Sequence, residues 1–153
     1  MKPKTLEFKI ERTIPATPEE AFDAWVNPKI PGNIWNAAEK FVFDVKTDGL
    51  FYWLLKGTAH YGRFTDIQRP HKLQHTWMSP NTLGHESNVT VTFKKAGSDT
   101  LMTIVHSDLP DCEPAKGHQT GWTYFMSVFV EQFGPGTRKK FVYEEAHPTK
   151  PKS

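Results

Sequence analysis

The chain has 153 residues, carries 19 Lys or Arg against 17 Asp or Glu, and is 13% aromatic. That length fits one domain able to bury its own core without metals or crosslinks. A single cysteine, Cys112, excludes an internal disulfide. No apolar run approaches the roughly 18 residues of a membrane span, and no secretory-type start precedes Pro15, so a reducing cytoplasm is expected.

Charge is unevenly spread. Residues 138–153 hold five basic against two acidic side chains, leaving 14 basic and 15 acidic in the rest. The body therefore offers no basic footprint for nucleic acid. The expected organisation is a single domain over residues 1–137 and a basic, solvated and flexible tail over 138–153.

In chain order, Leu6, Phe8 and Ile10 alternate with charged residues up to Ile14, as a half-exposed strand does. Thr17 precedes Pro18, Glu19 and Glu20, which supplies an N-cap, a proline in the first turn and acids at the positive end of a helix dipole. Ala21, Phe22, Trp25 and Val26 give that helix a buried side, and Asn27-Pro28 ends it. A second short helical piece, Ile30 to Ala37, carries Trp35.

From residue 40 the period becomes two, and six further strands are predicted: Lys40 to Val45, Leu50 to Lys56, Thr58 to Ile67, Lys72 to Met78, Ser87 to Lys95 and Thr100 to Ser107. Short connections at Asp48-Gly49, Gly57, Arg69-Pro70, Ser79 to Gly84 and Gly97-Ser98 imply an antiparallel meander. Phe51, Trp53 and Leu55 share one face, as do Leu73, His75 and Trp77, then Val89, Val91 and Phe93, then Met102, Ile104 and His106. The other face, with Lys72, Gln74, Thr76, Asn88, Thr90, Thr92 and Thr103, is polar.

Pro114 to Phe133 reads as a long helix. Trp122, Phe125, Met126, Phe129 and Phe133 form an apolar stripe opposite Lys116, Thr120, Thr123, Ser127 and Glu131. Gly117 and Gly121 have the spacing of a membrane-helix contact motif, but their polar neighbours make that match spurious. This helix, helped by Phe22, Trp25 and Trp35, is the layer available to cover the sheet. The fold class is α+β: a seven-stranded antiparallel sheet curved around a C-terminal helix.

At this point the chain resembles the helix-grip superfamily, also called START-like or Bet v 1-like, and within it the Hsp90-ATPase-activator-homologue branch. The residues that carry the resemblance are Ile14-Pro15-Ala16 with Pro18-Glu19-Glu20-Ala21-Phe22, Gly49-Leu50-Phe51, Leu73 to Trp77, Ser87 to Phe93, His106-Ser107-Asp108-Leu109-Pro110, and Gly117-His118 with Gly121-Trp122. The resemblance covers about residues 6 to 133. It implies a cavity between sheet and long helix, where relatives hold sterols, lipids, hormones or polyketides. The competing expectation is a continuous packed core, since interiors normally fill their space.

Seven histidines invite a closer reading. His60, His75, His106 and His118 project toward an apolar interior, where polar groups need partners and can orient a ligand. The alternative is structural: His106 fixes the strand-to-helix loop by bonding to backbone, and His118 caps or packs. No HExxH, paired cysteine or phosphate loop occurs, so neither metal nor cofactor is expected. Cys112 lies between Asp111 and Glu113, which disfavours a thiolate, and no nucleophile elbow is present.

The leading expectation is therefore a binder of a small hydrophobic or amphipathic ligand. The expected lining is Trp35, Phe51, Trp53, His60, Phe64, His75, Trp77, His106, His118, Trp122 and Met126. The segments Ser79 to Glu86 and Gly32 to Ala38 are the expected entrance. A cyclase or aromatase using His75 or His106 as acid or base is the second possibility. The third is an Hsp90-associated module; binding to Hsp90 is not expected, because the chain lacks the extra N-terminal domain that such activators use. Neither nucleic acid nor membrane is an expected partner.

Overall fold

The computed structural model describes residues 5–30 and 33–133. The expected basic tail at 138–153 lies outside the described residues. Strands β1 (Thr5–Ile14), β2 (Lys40–Phe43), β3 (Leu50–Leu55), β4 (Thr58–Gln68), β5 (Lys72–Trp77), β6 (Ser87–Ala96) and β7 (Asp99–Pro110) form one antiparallel sheet in the order β1-β7-β6-β5-β4-β3-β2. Helix α1 (Pro18–Val26) follows β1, and α2 (Glu113–Glu131) closes the domain.

Local chemistry accounts for the first helix. Thr17 and Glu20 form a reciprocal capping box, with the Thr17 N–H donating to Glu20 Oε1 at 2.9 Å and the Glu20 N–H to Thr17 Oγ1 at 3.2 Å. At its other end, Asn33 Nδ2 donates to the carbonyls of Ala24 and Trp25, while Trp35 Nε1 donates to the Trp25 carbonyl at 2.7 Å. The last carbonyls of α1 are thus satisfied by the 3-10 turn Ile34–Ala37, and this turn is fastened beneath the helix. Trp25 then meets Trp35, Trp122 and Phe129 at centroid distances of 5.3, 6.3 and 5.1 Å, which joins α1, the turn and α2 in one aromatic cluster.

Two irregularities bend the sheet. On β4 one extra residue stands between Phe64 and Asp66 opposite His75 and Gln74, and the pairing is displaced. Just before it, Gly62 lies so close to β5 that a Cβ would sit 2.1 Å from the Thr76 carbonyl oxygen. The Arg63 N–H donates to Thr76 Oγ1 rather than to a ladder carbonyl. The second irregularity lies between β1 and β7, where Leu6 faces Leu109 but Phe8 faces His106; the extra residue on β7 includes Asp108 at φ 62°. Strand β7 therefore runs on to Pro110, whereas the sequence predicts an end at Ser107. The reason is the continued pairing of Thr5 with Pro110.

The alternation read from sequence holds: the inner-face sets from β3, β5, β6 and β7 are buried, apart from the half-buried Leu55. On α2, Trp122, Phe125, Met126 and Phe129 are buried, while Lys116, Thr120 and Glu131 are exposed. Among the described residues no helix is long and apolar enough to cross a membrane.

Candidate functional site

The space between sheet and helix is filled at one end and open at the other. Toward the C-terminal half of α2, Met126 and Phe129 sit in a closed core with Trp25, Ile104 and Met102. Toward the N-terminal half, a cleft of about 250 Å³ opens between α2 and the sheet. Trp53 of β3 and Trp77 of β5 form its floor; Trp122 and Phe125 of α2 form its wall. Pro114, Gly117, His118 and Gly121 line it along the first turns of the helix, and Asn81, from the 3-10 turn Pro80–Thr82, stands at the rim. Behind the cleft the interior is packed, with Trp53, Trp77, Trp122 and Phe125 in the same buried cluster as Met126 and Phe129.

The ring planes meet at angles. Trp77 and Trp122 are 5.2 Å apart at 54°, Trp53 and Trp77 6.3 Å apart at 57°, and Trp53 and Phe125 5.4 Å apart at 68°. Trp53, Trp77 and Trp122 are nearly buried, at 3%, 3% and 4% exposed, so only a small part of each ring reaches the cleft.

Behind this surface runs a hydrogen-bonded chain. Trp122 Nε1 donates to His106 Nδ1 at 2.9 Å, so Nδ1 carries no proton and Nε2 does. His106 Nε2 then donates to Ser87 Oγ at 2.8 Å, and Ser87 Oγ donates to the Trp77 carbonyl at 2.7 Å. In parallel, Trp77 Nε1 donates to His118 Nε2 at 3.2 Å, which leaves the proton of that imidazole on Nδ1, donated to the Ala115 carbonyl at 2.8 Å. Both rings are thereby held neutral, each in one tautomer. Burial works in the same direction: desolvation drives His106 down to about 2, helped by repulsion from His118 and His75, and lowers His118 below its ordinary value.

His60 and His75 complete the set. His60 is buried against Trp77, at 4.9 Å between centroids, with Nδ1 donating to the Trp53 carbonyl, and burial lowers its pKa. His75 is wholly enclosed and stacked on Phe51 at 4.7 Å; its Nδ1 donates to the Thr76 carbonyl, and desolvation takes it down to about 4. Its Nε2 has no hydrogen-bond partner among the described residues. No three His, Cys, Asp or Glu side chains gather at metal-binding distance among the described residues.

Of the residues expected to line a site, Trp53, Trp77, His118 and Trp122 do line the cleft. His60 and His106 lie directly behind it. Phe51 and His75 also lie behind Trp77, at 5.4 and 6.2 Å between ring centroids, and like Trp35, Phe64 and Met126 they are fully buried and do not line the cleft. His106 does not fix a strand-to-helix loop, because β7 continues past it; it joins α2 to β6 instead. Of the expected entrance segments, Ser79 to Glu86 contributes Asn81. None of the described residues of the other lines the cleft, and Gly32 lies outside them.

The expected lining omitted Pro114 and Phe125, took in Asn81 only as part of an entrance segment, and gave Gly117 and Gly121 a place in the family-like motifs but none at the site. A better signal was present: two glycines inside a helix each cost about 1 kcal/mol relative to alanine. A Cβ built on either would meet nothing within 4 Å, so no packing contact requires them.

Comparison with known proteins places this geometry in context. A family model described as Activator of Hsp90 ATPase homolog 1-like protein matches residues 15–134. No curated protein matches by sequence. Among solved structures, CalU16 from Micromonospora echinospora is 19% identical, with a TM-score of 0.68 over 84% of this chain and 76% of that one. PFC0360w, an HSP90 activator from Plasmodium falciparum, is 23% identical, with a TM-score of 0.67 over 83% and 92%. DynU16, a protein from the dynemicin biosynthetic locus, is 15% identical, with a TM-score of 0.73 over 88% of this chain and 49% of that one. At these identities the likeness is one of fold.

Proposed function

Since the chain belongs to the Activator of Hsp90 ATPase homolog 1-like family, with its helix-grip fold, we propose that it binds a small apolar molecule in the cleft under the first turns of α2 and does not transform it. The observation that carries this reading is an open, ring-walled space bordered by two helix glycines that nothing nearby requires. Filling it with alanine side chains would strengthen the helix, so keeping it empty has a stability cost that a ligand site explains.

The histidines favour binding over catalysis. A general base needs an accessible lone pair within reach of the proton it removes. The bare nitrogens of His106 and His118 are filled by the indole N–H groups of Trp122 and Trp77. His75 lies outside the cleft. The cyclase-like reading would need one of these bonds to break, or His60, behind the cleft, to act through its Nε2.

The test is a titration of intrinsic tryptophan fluorescence with a neutral polycyclic probe such as N-phenyl-1-naphthylamine, alongside native mass spectrometry of gently purified protein. Saturable uptake is expected in the wild type and its loss in Gly121→Leu, whose side chain would occupy the cleft while circular dichroism stays unchanged. Absence of saturable uptake in the wild type, or equal uptake in the variant, would reject the reading. A second reading, an Hsp90-interacting module, draws on the family description and on the Plasmodium neighbour. A pull-down with Hsp90 separates the two: retention that persists in Gly121→Leu would favour the second.

A further inference from the structure

We infer that the cleft selects an uncharged aromatic molecule of one or two rings, whose single polar group meets the side-chain amide of Asn81. This deepens the binding reading above and rests on it.

Size sets the first limit. At about 250 Å³ the cleft lies just below the roughly 300–1,000 Å³ of pockets that enclose drug-sized ligands. A sterol or a multi-ring polyketide would extend well beyond this open cleft, whereas a benzene or naphthalene frame matches its volume. The exposed parts of Trp53, Trp77 and Trp122 lie side by side, with centroids 5.2 to 6.3 Å apart, so a flat guest can touch more than one ring at once.

Polarity sets the second limit. Every indole N–H on the cleft surface is already used: Trp53 Nε1 donates to the Trp35 carbonyl at 3.1 Å, Trp77 Nε1 to His118, and Trp122 Nε1 to His106. Both nitrogens of His118 are engaged as well. The remaining lining side chains are Phe125, Pro114 and two glycines, which offer no polar atom. Of the polar side chains that line the cleft, the exposed Asn81 amide is the one that makes no hydrogen bond to a described residue, although its backbone N–H is held by Ser79 Oγ. It can both donate to and accept from a hydroxyl or carbonyl.

Charge sets the third limit. Among the described residues no Lys, Arg, Asp or Glu lines the cleft, and the histidine on its wall is held neutral by its two hydrogen bonds. An ion entering would lose hydration with no counter-charge to replace it. A cation would gain attraction from the ring faces, but without a carboxylate beside them.

The experiment uses four probes on one frame: 2-naphthol, 2-naphthoate, 2-naphthylmethyl-trimethylammonium and 2-methylnaphthalene, each titrated by tryptophan fluorescence and calorimetry near neutral pH. The inference expects 2-naphthol to bind more than about tenfold tighter than either ion. It also expects Asn81→Leu to weaken 2-naphthol about three- to tenfold, the value of one hydrogen bond, while leaving 2-methylnaphthalene unchanged. Equal or tighter binding of either ion overturns the neutrality of the site, and an unchanged 2-naphthol affinity in Asn81→Leu overturns the assignment of the polar contact. If none of the probes saturates, the binding reading itself falls along with its refinement.

Discussion

Trp122 Nε1 lies 2.9 Å from His106 Nδ1, and this contact ties the long helix to β7, the strand beside edge strand β1. An indole nitrogen can only donate, so the imidazole must accept there, and its remaining proton is directed to Ser87 at 2.8 Å. All three side chains are buried, which makes each a costly group to leave without its partner.

Replacing His106 by Leu should therefore destabilise the fold by about 1–3 kcal/mol, because the Trp122 N–H would be buried unpaired. Trp122→Phe in the same background should cost less than it does in wild type, since the orphaned donor is already gone. A double-mutant cycle by urea denaturation measures the coupling. Additive single effects would mean that this bond contributes nothing to stability.

Stability should fall as the solution is acidified from pH 7 to pH 4. His75 and His106 are neutral when folded, with values pulled by burial to about 4 and about 2, below the 6.5 of the unfolded chain. Between those limits the unfolded state binds more protons, so protonation favours unfolding; the stability is fully present above about pH 6.5 and is lost as pH decreases. Each such group contributes about 1.4 kcal/mol per pH unit within its window. His60 and His118, also lowered by burial, add in the same direction. Denaturation midpoints measured at half-unit steps should show this slope, and a flat profile between pH 7 and 5 would contradict the neutral buried histidines.

Gly117→Ala and Gly121→Ala should each raise stability, by about 0.5–1 kcal/mol, through better helix propensity, because the added methyl meets no atom within 4 Å. The same changes should weaken uptake of an apolar probe. Opposite signs in thermal melting and in binding are the expected signature of space held open for a ligand; unchanged binding would leave the glycines without that role.

Gly62→Ala should behave differently from the helix glycines. Its Cβ would stand 2.1 Å from the Thr76 carbonyl oxygen, and backbone cannot yield as a side chain can. A loss of about 3 kcal/mol is expected on chemical denaturation. A near-neutral result would show that β4 and β5 can separate at this bend.

The layered architecture was legible from local patterns alone. Period-two alternation marks the inner faces of β3, β5, β6 and β7, Thr17 and Glu20 announce the start of α1, and the Trp122 to Phe129 stripe shows which side of α2 is covered. These signals are readable because side-chain direction follows from backbone geometry within a few residues. What tertiary structure decided was where the interior remains empty. Periodicity places Phe51, His75 and Met126 inward as surely as Trp53, Trp77 and Trp122, yet only the latter three border the cleft, because which inward side chains are covered depends on contacts between elements distant in sequence. The proton positions on His106 and His118 were equally beyond sequence, since each depends on an indole brought from 16 or 41 residues away.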